Sequence, residues 1–272
     1  MKLFKGGFTL IEVALFLAIT GMLFIGVTVG VQNSIYQQRY NDSVQNFIEY
    51  LRTLYSETMN VQGTGDGRSE KAVLGRLAIF TASDENDNNI TTYSIIGDAN
   101  SDINTGNVLD ALDKAHANIY IKDKEGAKLA GMEESYTPKW ASQIQSPCKS
   151  DTDCNDSYSP IGMVLLVVRH PYTGTVYTYA SKNADKEKVN EWLNEMEQAA
   201  KNNNTEKKFF GKKIQTEYGL QPFSTDAMDF CINPEGDSRS AMRTDVRINA
   251  NARNTSAIGT IPEEEGVCRP RS

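Results

Sequence analysis

An apolar run from Phe8 to Val31, carrying one carboxylate at Glu12, constrains this chain more than any other stretch. As a helix, its 24 residues extend roughly 36 Å, enough to cross a hydrocarbon core of ~30 Å. Lys2 and Lys5 precede it, and the positive-inside rule keeps that end in the cytoplasm. The remaining chain is therefore expected outside. A secretory signal peptide has a shorter apolar core, roughly 7–15 residues, followed by a small-residue cleavage site. Here the run is longer, and Gln32-Asn33-Ser34-Ile35-Tyr36 continues the helical pattern. A lone charge inside a span costs roughly 2.5–3.5 kcal/mol on insertion scales, so Glu12 needs a partner or a purpose.

The residues around that charge are Gly6-Gly7-Phe8-Thr9-Leu10-Ile11-Glu12, after a short leader with two lysines. This arrangement resembles the N-terminus of the type IV pilin and type II secretion pseudopilin superfamily. The resemblance covers Met1 to about Val31 and fades in the rest of the chain. It implies a leader at residues 1–7 and cleavage by a prepilin peptidase between Gly7 and Phe8. Phe8 is then the mature N-terminus, N-methylated in the family, and Glu12 falls at the family's glutamate position. In low dielectric, the amine at Phe8 of one subunit and the Glu12 carboxylate of another cancel each other's desolvation cost, which sets the axial register of a filament. Gly21 matches the family's helix glycine. The proline that major pilins carry soon afterwards is absent, since Val27 to Val31 contains none. Gly26 and Gly30 either loosen the helix or serve as close-packing spots.

Beyond the span, residues 32–62 continue as an amphipathic helix. Tyr36, Tyr40, Val44, Phe47, Ile48, Leu51, Leu54, Tyr55 and Met59 recur at spacings of three and four. Such a stripe is expected to pack on a sheet. Gly63-Thr64-Gly65-Asp66-Gly67 ends the helix. Strands are then predicted at Ala72–Phe80, Thr92–Ile96, Asn118–Lys122, Ile161–Val168 and Thr175–Ala180. The continuous run Met163–Val168 predicts a strand buried on both faces. Pro171-Tyr172-Thr173-Gly174 supplies the following turn. Met242 to Ile248 alternates, with Met242, Thr244, Val246 and Ile248 expected inward and the charges outward. Asp229–Gly236 loosely resembles a closing strand of minor pseudopilins, paired with it. Asp185–Asn204 is predicted as a charged helical insert with Val189, Trp192, Leu193 and Met196 on one face. The expected fold class is α+β: one long N-terminal helix on an antiparallel sheet, with an exported domain spanning residues 63–272.

Composition suits an exported surface. The formal charge of -7 becomes more negative without the leader lysines, which argues against a generally basic nucleic-acid binder. Four cysteines, Cys148, Cys154, Cys231 and Cys268, read as disulfides in an oxidising compartment, with three connectivities open. Cys148–Cys154 and Cys231–Cys268 are favoured; no CxxC pair supports a zinc site.

Little points to catalysis or a cofactor. The two histidines, His116 and His170, lie in no H-E-x-x-H or triad-like context, and no Gly-rich phosphate loop follows a strand. Asp98-Ala99-Asn100-Ser101-Asp102-Ile103-Asn104 places oxygen ligands at alternate positions but lacks the glycine and glutamate of a calcium loop. Asp98, Asn100 and Asp102, with Asp151 and Asp153, are thus calcium candidates set against solvated Asx-rich turns. Asp84–Asn89 has the same character. Arg239, Arg243, Arg247, Arg253, Arg269 and Arg271 are nearly balanced by Asp237, Asp245 and Glu263–Glu265. The expectation is a non-enzymatic minor pilin or pseudopilin. Its partners are the prepilin peptidase, other subunits, an inner-membrane assembly platform and membrane lipid. It sits first in the cytoplasmic membrane as a single-pass protein, then in a filament. Set against this are a major pilin, a pilus-borne adhesin or DNA-uptake subunit, and an anchored domain that never assembles.

Overall fold

The computed structural model describes residues 9–60, 71–80, 89–98, 103, 105–120, 133–145, 163–181, 184–202, 204, 206–222, 227–234, 243–262 and 268. The chain is α+β and divides into two units, one up to Asp42 and one from Ser43 onward. Helix α1, Leu10–Met59, runs from the first into the second. In the first unit, Thr20 and Thr28 donate their hydroxyls to the carbonyls of Phe16 and Phe24, each at 2.7 Å. Turning a hydroxyl back onto its own helix leaves no orphaned donor on an apolar surface.

The second unit is layered around a six-stranded antiparallel sheet. Its strands in spatial order are β3 (Glu133–Tyr136), β2 (Ile90–Asp98), β1 (Lys71–Phe80), β5 (Met163–Arg169), β6 (Val176–Ser181) and β7 (Gln221–Pro222). Met163 to Val168 are all buried, as their unbroken apolar run predicts. Side chains alternate along a strand, so each layer meets its own set of residues. Leu77 and Ile79 of β1, Ile95 of β2, and Val164, Leu166 and Val168 of β5 enter one cluster. That cluster holds α2 (Val108–Lys114), α3 (Lys186–Lys201) and α4 (Lys213–Thr216) against the sheet. Trp192 of α3 is wholly buried there, stacked on Tyr218 at 5.1 Å and edge-on to Phe210 at 5.9 Å.

The opposite face takes the end of α1. Val44, Phe47, Ile48, Leu51, Leu54 and Tyr55 are buried, so the predicted stripe does pack on a sheet. It stops at Thr58, whose hydroxyl donates to the Leu54 carbonyl; Met59, on the terminal turn, is exposed. A second, four-stranded antiparallel sheet runs in the order β10 (Ile258–Thr260), β9 (Thr244–Ile248), β8 (Met228–Asn233) and β4 (Gln143–Gln145). Phe230 of β8 meets Phe47 at 5.3 Å and Phe80 at 5.2 Å, so helix and both sheets share one aromatic contact.

Four expectations change. Among the described residues there are two sheets, not one. Asn118–Lys122 forms no strand among its described residues, and Asn118 makes only an isolated bridge to Ile96. Its side chain instead accepts from the Tyr120 amide and donates to the Met196 carbonyl, tying the segment to α3. The helix predicted within Asp185–Asn204 forms as α3 with Val189, Trp192, Leu193 and Met196 on its buried face, but that face belongs to the main core, so α3 is a layer of the fold rather than an insert. Lastly, Asp245 does share a strand face with Arg247, but it is buried rather than solvated. The Cys268 amide donates to its Oδ1 at 3.0 Å, so chain from 23 residues away covers the carboxylate. The glycine segment 63–67 and Met242 lie outside the described residues.

Candidate functional site

The first unit presents apolar surface that water does not tolerate. Leu10 is 86% exposed and Phe24 74%, with Ile11, Leu15, Phe16, Leu17, Met22 and Ile25 similarly bare. Among the described residues, α1 is the one helix long and apolar enough to cross a membrane. Surface of this extent requires lipid or other apolar partners.

Glu12 sits at the very start of this helix, and its carboxylate is occupied. Thr9 is the N-cap: its carbonyl accepts the first helical bond, from the Val13 amide at 3.2 Å. The Thr9 hydroxyl oxygen accepts from the Glu12 amide at 3.3 Å. In return, the Thr9 amide and hydroxyl both donate to Glu12 Oε2, each at 2.9 Å. This is a reciprocal capping box, which satisfies donors that a helix end otherwise leaves bare. The Thr-x-x-Glu spacing of Thr9 and Glu12 was the signal for it, and reading Glu12 only as an intermolecular charge overlooks it. An acidic group in the first turn also suits the positive end of the helix dipole. Gly7 and Phe8 lie outside the described residues.

In the second unit, Asp98 is the one calcium candidate among the described residues, and its Oδ2 lies 2.8 Å from His116 Nδ1. Asn100, Asp102, Asp151 and Asp153 are outside the described residues, and of Asp84–Asn89 only Asn89 is described; Thr137 donates its hydroxyl to the Asn89 side chain at 2.5 Å. His170 is buried, and each ring nitrogen is used. Its Nδ1 accepts from the amides of Tyr172 and Thr173, and its Nε2 donates to the Thr105 carbonyl at 2.7 Å. That pattern makes it a turn-holding residue between β5 and β6. Arg247 is engaged by Asp229 through two bonds, at 2.5 and 3.1 Å, and Arg253 lies over the Tyr177 ring at 5.9 Å. Arg239, Arg269 and Arg271 are outside the described residues.

Cys231 and Cys268 form a disulfide. They also make, with Asp245, the one cluster of metal-ligating residue types among those described. The two sulfurs are bonded to each other, so neither is available as a thiolate ligand. Cys148 and Cys154 lie outside the described residues.

Two further arrangements were not legible beforehand. Arg76 is buried between α1 and the large sheet, with Nη2 2.7 Å from Glu57 Oε2 and Nη1 donating to Ser94 Oγ at 2.7 Å. Burial pushes the Glu57 carboxyl up, and the Arg76 guanidinium pulls it down less strongly. Asp113 of α2 accepts from the amides of Phe209 and Phe210 at 2.9 and 2.8 Å, and burial raises its carboxyl despite those donors. Both tie elements together. Compared with family models, curated proteins and solved structures, the chain matches none of them.

Proposed function

We propose that this chain is a membrane-inserted, non-enzymatic subunit of a pilin-like filament, of the minor pilin or pseudopilin kind. The observation that carries the reading is Glu12: a single carboxylate in the first turn of an otherwise apolar, lipid-ready helix, five residues after Gly7. A charge placed there opposes insertion, and an amine created at Phe8 of a neighbouring subunit would answer it. The capping box supports the same reading. It shelters the carboxylate within a single chain, so the helix start is stable before any neighbour arrives.

The second unit supports a structural role. Its histidines, its buried arginine, its half-buried Asp113 and its buried Asp245 are each engaged in holding elements together. In the proposed cycle, the leader is removed on the cytoplasmic side and the apolar helix waits in the bilayer. The helix then moves into a bundle with other subunits, exchanging lipid contacts for helix contacts.

Co-expression with a prepilin peptidase tests this. The mature protein is expected to begin at Phe8, by intact mass and N-terminal sequencing, and Gly7→Leu is expected to retain the leader. A mature chain that still starts at Met1, or one cut after Val31, overturns the reading.

A further inference from the structure

Cys231 and Asp245 are directly opposed on the neighbouring strands β8 and β9. Opposed residues in an antiparallel pair project to the same face, so the sulfur and the carboxylate stand side by side. This is the face that also carries the Asp229–Arg247 pair, away from Phe230, Val246 and the core. Cys231 and Asp245 are nonetheless buried. Cys268 lies against both: its sulfur is bonded to Cys231 and its amide donates to Asp245 Oδ1. A carboxylate oxygen and the two sulfurs all lie within 4.8 Å of one another.

A buried carboxylate is costly unless something answers it. Its use here follows from what the disulfide requires. Cys268 is 37 residues from Cys231, and a chain of that length brings its ends together at an entropic cost. A charge-assisted bond from the Cys268 amide to Asp245 fixes the backbone of one cysteine beside the side chain of the other. Asp245 itself is held by the β8–β9 ladder and by the Ile261 amide, which donates to its carbonyl at 3.1 Å.

We propose that Asp245 is the positioning residue for oxidative closure of this domain, holding Cys268 so that its sulfur meets that of Cys231. The closure is a thiol–disulfide exchange with a small-molecule disulfide such as oxidised glutathione. One cysteine thiolate attacks a sulfur of the small disulfide, forming a mixed disulfide and releasing one small thiolate. The second cysteine, its proton lost to solvent, then attacks the protein sulfur of that mixed disulfide and expels the second small thiolate. Two protein thiols are oxidised and one small disulfide is reduced to two thiols. Asp245 touches no electron in this sequence. It acts through the position of the Cys268 backbone.

Its charge works in the other direction, since a carboxylate beside a thiol disfavours the attacking thiolate. Substitutions therefore separate position from charge. Asp245→Asn keeps an oxygen acceptor and removes the charge, whereas Asp245→Ala removes both. The full chain in detergent is equilibrated in graded mixtures of reduced and oxidised glutathione, starting from the oxidised form. The fraction of linked Cys231–Cys268 peptide is then read by mass spectrometry after alkylation. Asp245→Ala is expected to lower the effective concentration of the two thiols about tenfold, the worth of one such hydrogen bond. Asp245→Asn is expected to stay within about twofold of the native chain. Asp229→Ala, which breaks the neighbouring Arg247 pair on the same two strands, is expected to leave the value unchanged. Hydrogen exchange at the Cys268 amide of the oxidised protein reads the bond directly, and needs no reduced, folded Asp245→Ala chain. It should speed up in the alanine variant and not in the asparagine variant. Native-like exchange and equilibrium in Asp245→Ala, or an asparagine variant as impaired as the alanine one, overturns the proposal.

Discussion

Tyr55 of α1 gives its hydroxyl hydrogen to Thr178 of β6, across 3.0 Å in the buried layer between helix and sheet. The direction follows from Thr178, whose own hydrogen goes to the Ala252 carbonyl at 2.9 Å. A hydroxyl carries one hydrogen, so Tyr55 is the donor of the pair. Burial, against the weaker pull of Thr178, pushes the Tyr55 phenol well above its ordinary range. The relay therefore joins the helix, the six-stranded sheet and the connection between β9 and β10.

Thr178→Val keeps the shape of that side chain and removes both bonds. It leaves the Ala252 carbonyl and the Tyr55 hydroxyl short of partners in a dry layer. The expected cost is about 2 kcal/mol of unfolding free energy, measured by urea denaturation of the full chain in detergent. Tyr55→Phe should cost less, about 1 kcal/mol, because Thr178 still donates to the Ala252 carbonyl and no group is left wholly unpaired. A valine variant as stable as the native chain would show that the relay contributes nothing.

Arg76 is the buried cation of the same layer, and its partners are uneven. Glu57 lies at 2.7 Å with a quarter of its side chain still exposed, while Glu134 at 3.6 Å is mostly exposed. Removing the arginine leaves Glu57 partly desolvated with no cation beside it. Arg76→Met is expected to cost about 3 kcal/mol, at the low end for a broken buried pair. Adding Glu57→Leu should restore much of the loss, because two apolar groups do not need each other in the way two charges do. The denaturation midpoints of the single and double variants decide it; a double variant no better than the single removes the pairing argument.

Both arrangements depend on contacts far apart in the chain, which is why sequence patterns did not reveal them. Apolar pattern was enough to locate β1, β2, β5, β6, β9 and the buried stripe of α1, since each carries its own signature; β8 was reached only through the loose resemblance of Asp229–Gly236 to a closing strand. The edge strand β3, Glu133-Glu134-Ser135-Tyr136, has no such signature and is a strand because β2 offers it a ladder. Strands β4, β7 and β10 are two or three residues long, too short to show any period. Helix α2 buries Val108, Leu109, Ala111 and Leu112 within seven residues, and is capped by the Asn107 side chain accepting from the Leu109 amide. Alone, so short a helix would not form. Asp245 alternates as a solvent residue does, yet it is buried, with the Cys268 amide bonded to its carboxylate. Of the candidate site, Glu12 was legible as a charge out of place, and the Thr-x-x-Glu spacing also marked its partner Thr9, which a reading of the charge alone passes over.

Acid should loosen α3 through Glu195. This carboxylate receives Lys213 Nζ at 2.7 Å and lies 3.3 Å from Lys207, bridging α3 to the chain that follows it. The Lys213 bond holds its pKa below the ordinary glutamate value, burial opposing. A carboxyl lowered on folding stabilises fully above its unfolded pKa, and that contribution is lost as pH falls through the lowered value. The pair is half-buried and still reached by solvent, which screens it, so the contribution at neutral pH should be about 1 kcal/mol. Glu195→Gln is therefore expected to be slightly less stable than the native chain at pH 7 and equal to it at pH 2. Stability measured across that range tests the sign; a difference that grows on acidification refutes it.

Thr9 and Glu12 pose the sharper question, because one carboxylate is asked to serve two roles. Within a chain it closes the capping box; in the proposed filament its charge answers a neighbour's amine. The substitutions separate these roles. Glu12→Gln keeps an oxygen that can accept from Thr9, since glutamine also serves at this position of a capping box. It loses the charge. Glu12→Ala loses both, while sparing the cost of a carboxylate in the bilayer, so insertion should be unimpaired or better. Thr9→Val leaves the charge and removes the hydroxyl, at a cost of about 1 kcal/mol at the helix end. If the charge drives incorporation, Glu12→Gln and Glu12→Ala should both reach the membrane and both be missing from sheared filaments. Thr9→Val should still be incorporated, at a somewhat lower level. Quantitative mass spectrometry of the sheared and membrane fractions reads all three. Normal incorporation of Glu12→Gln, with loss of Thr9→Val, would mean that the capped helix start, and not the charge, is what a neighbouring subunit recognises.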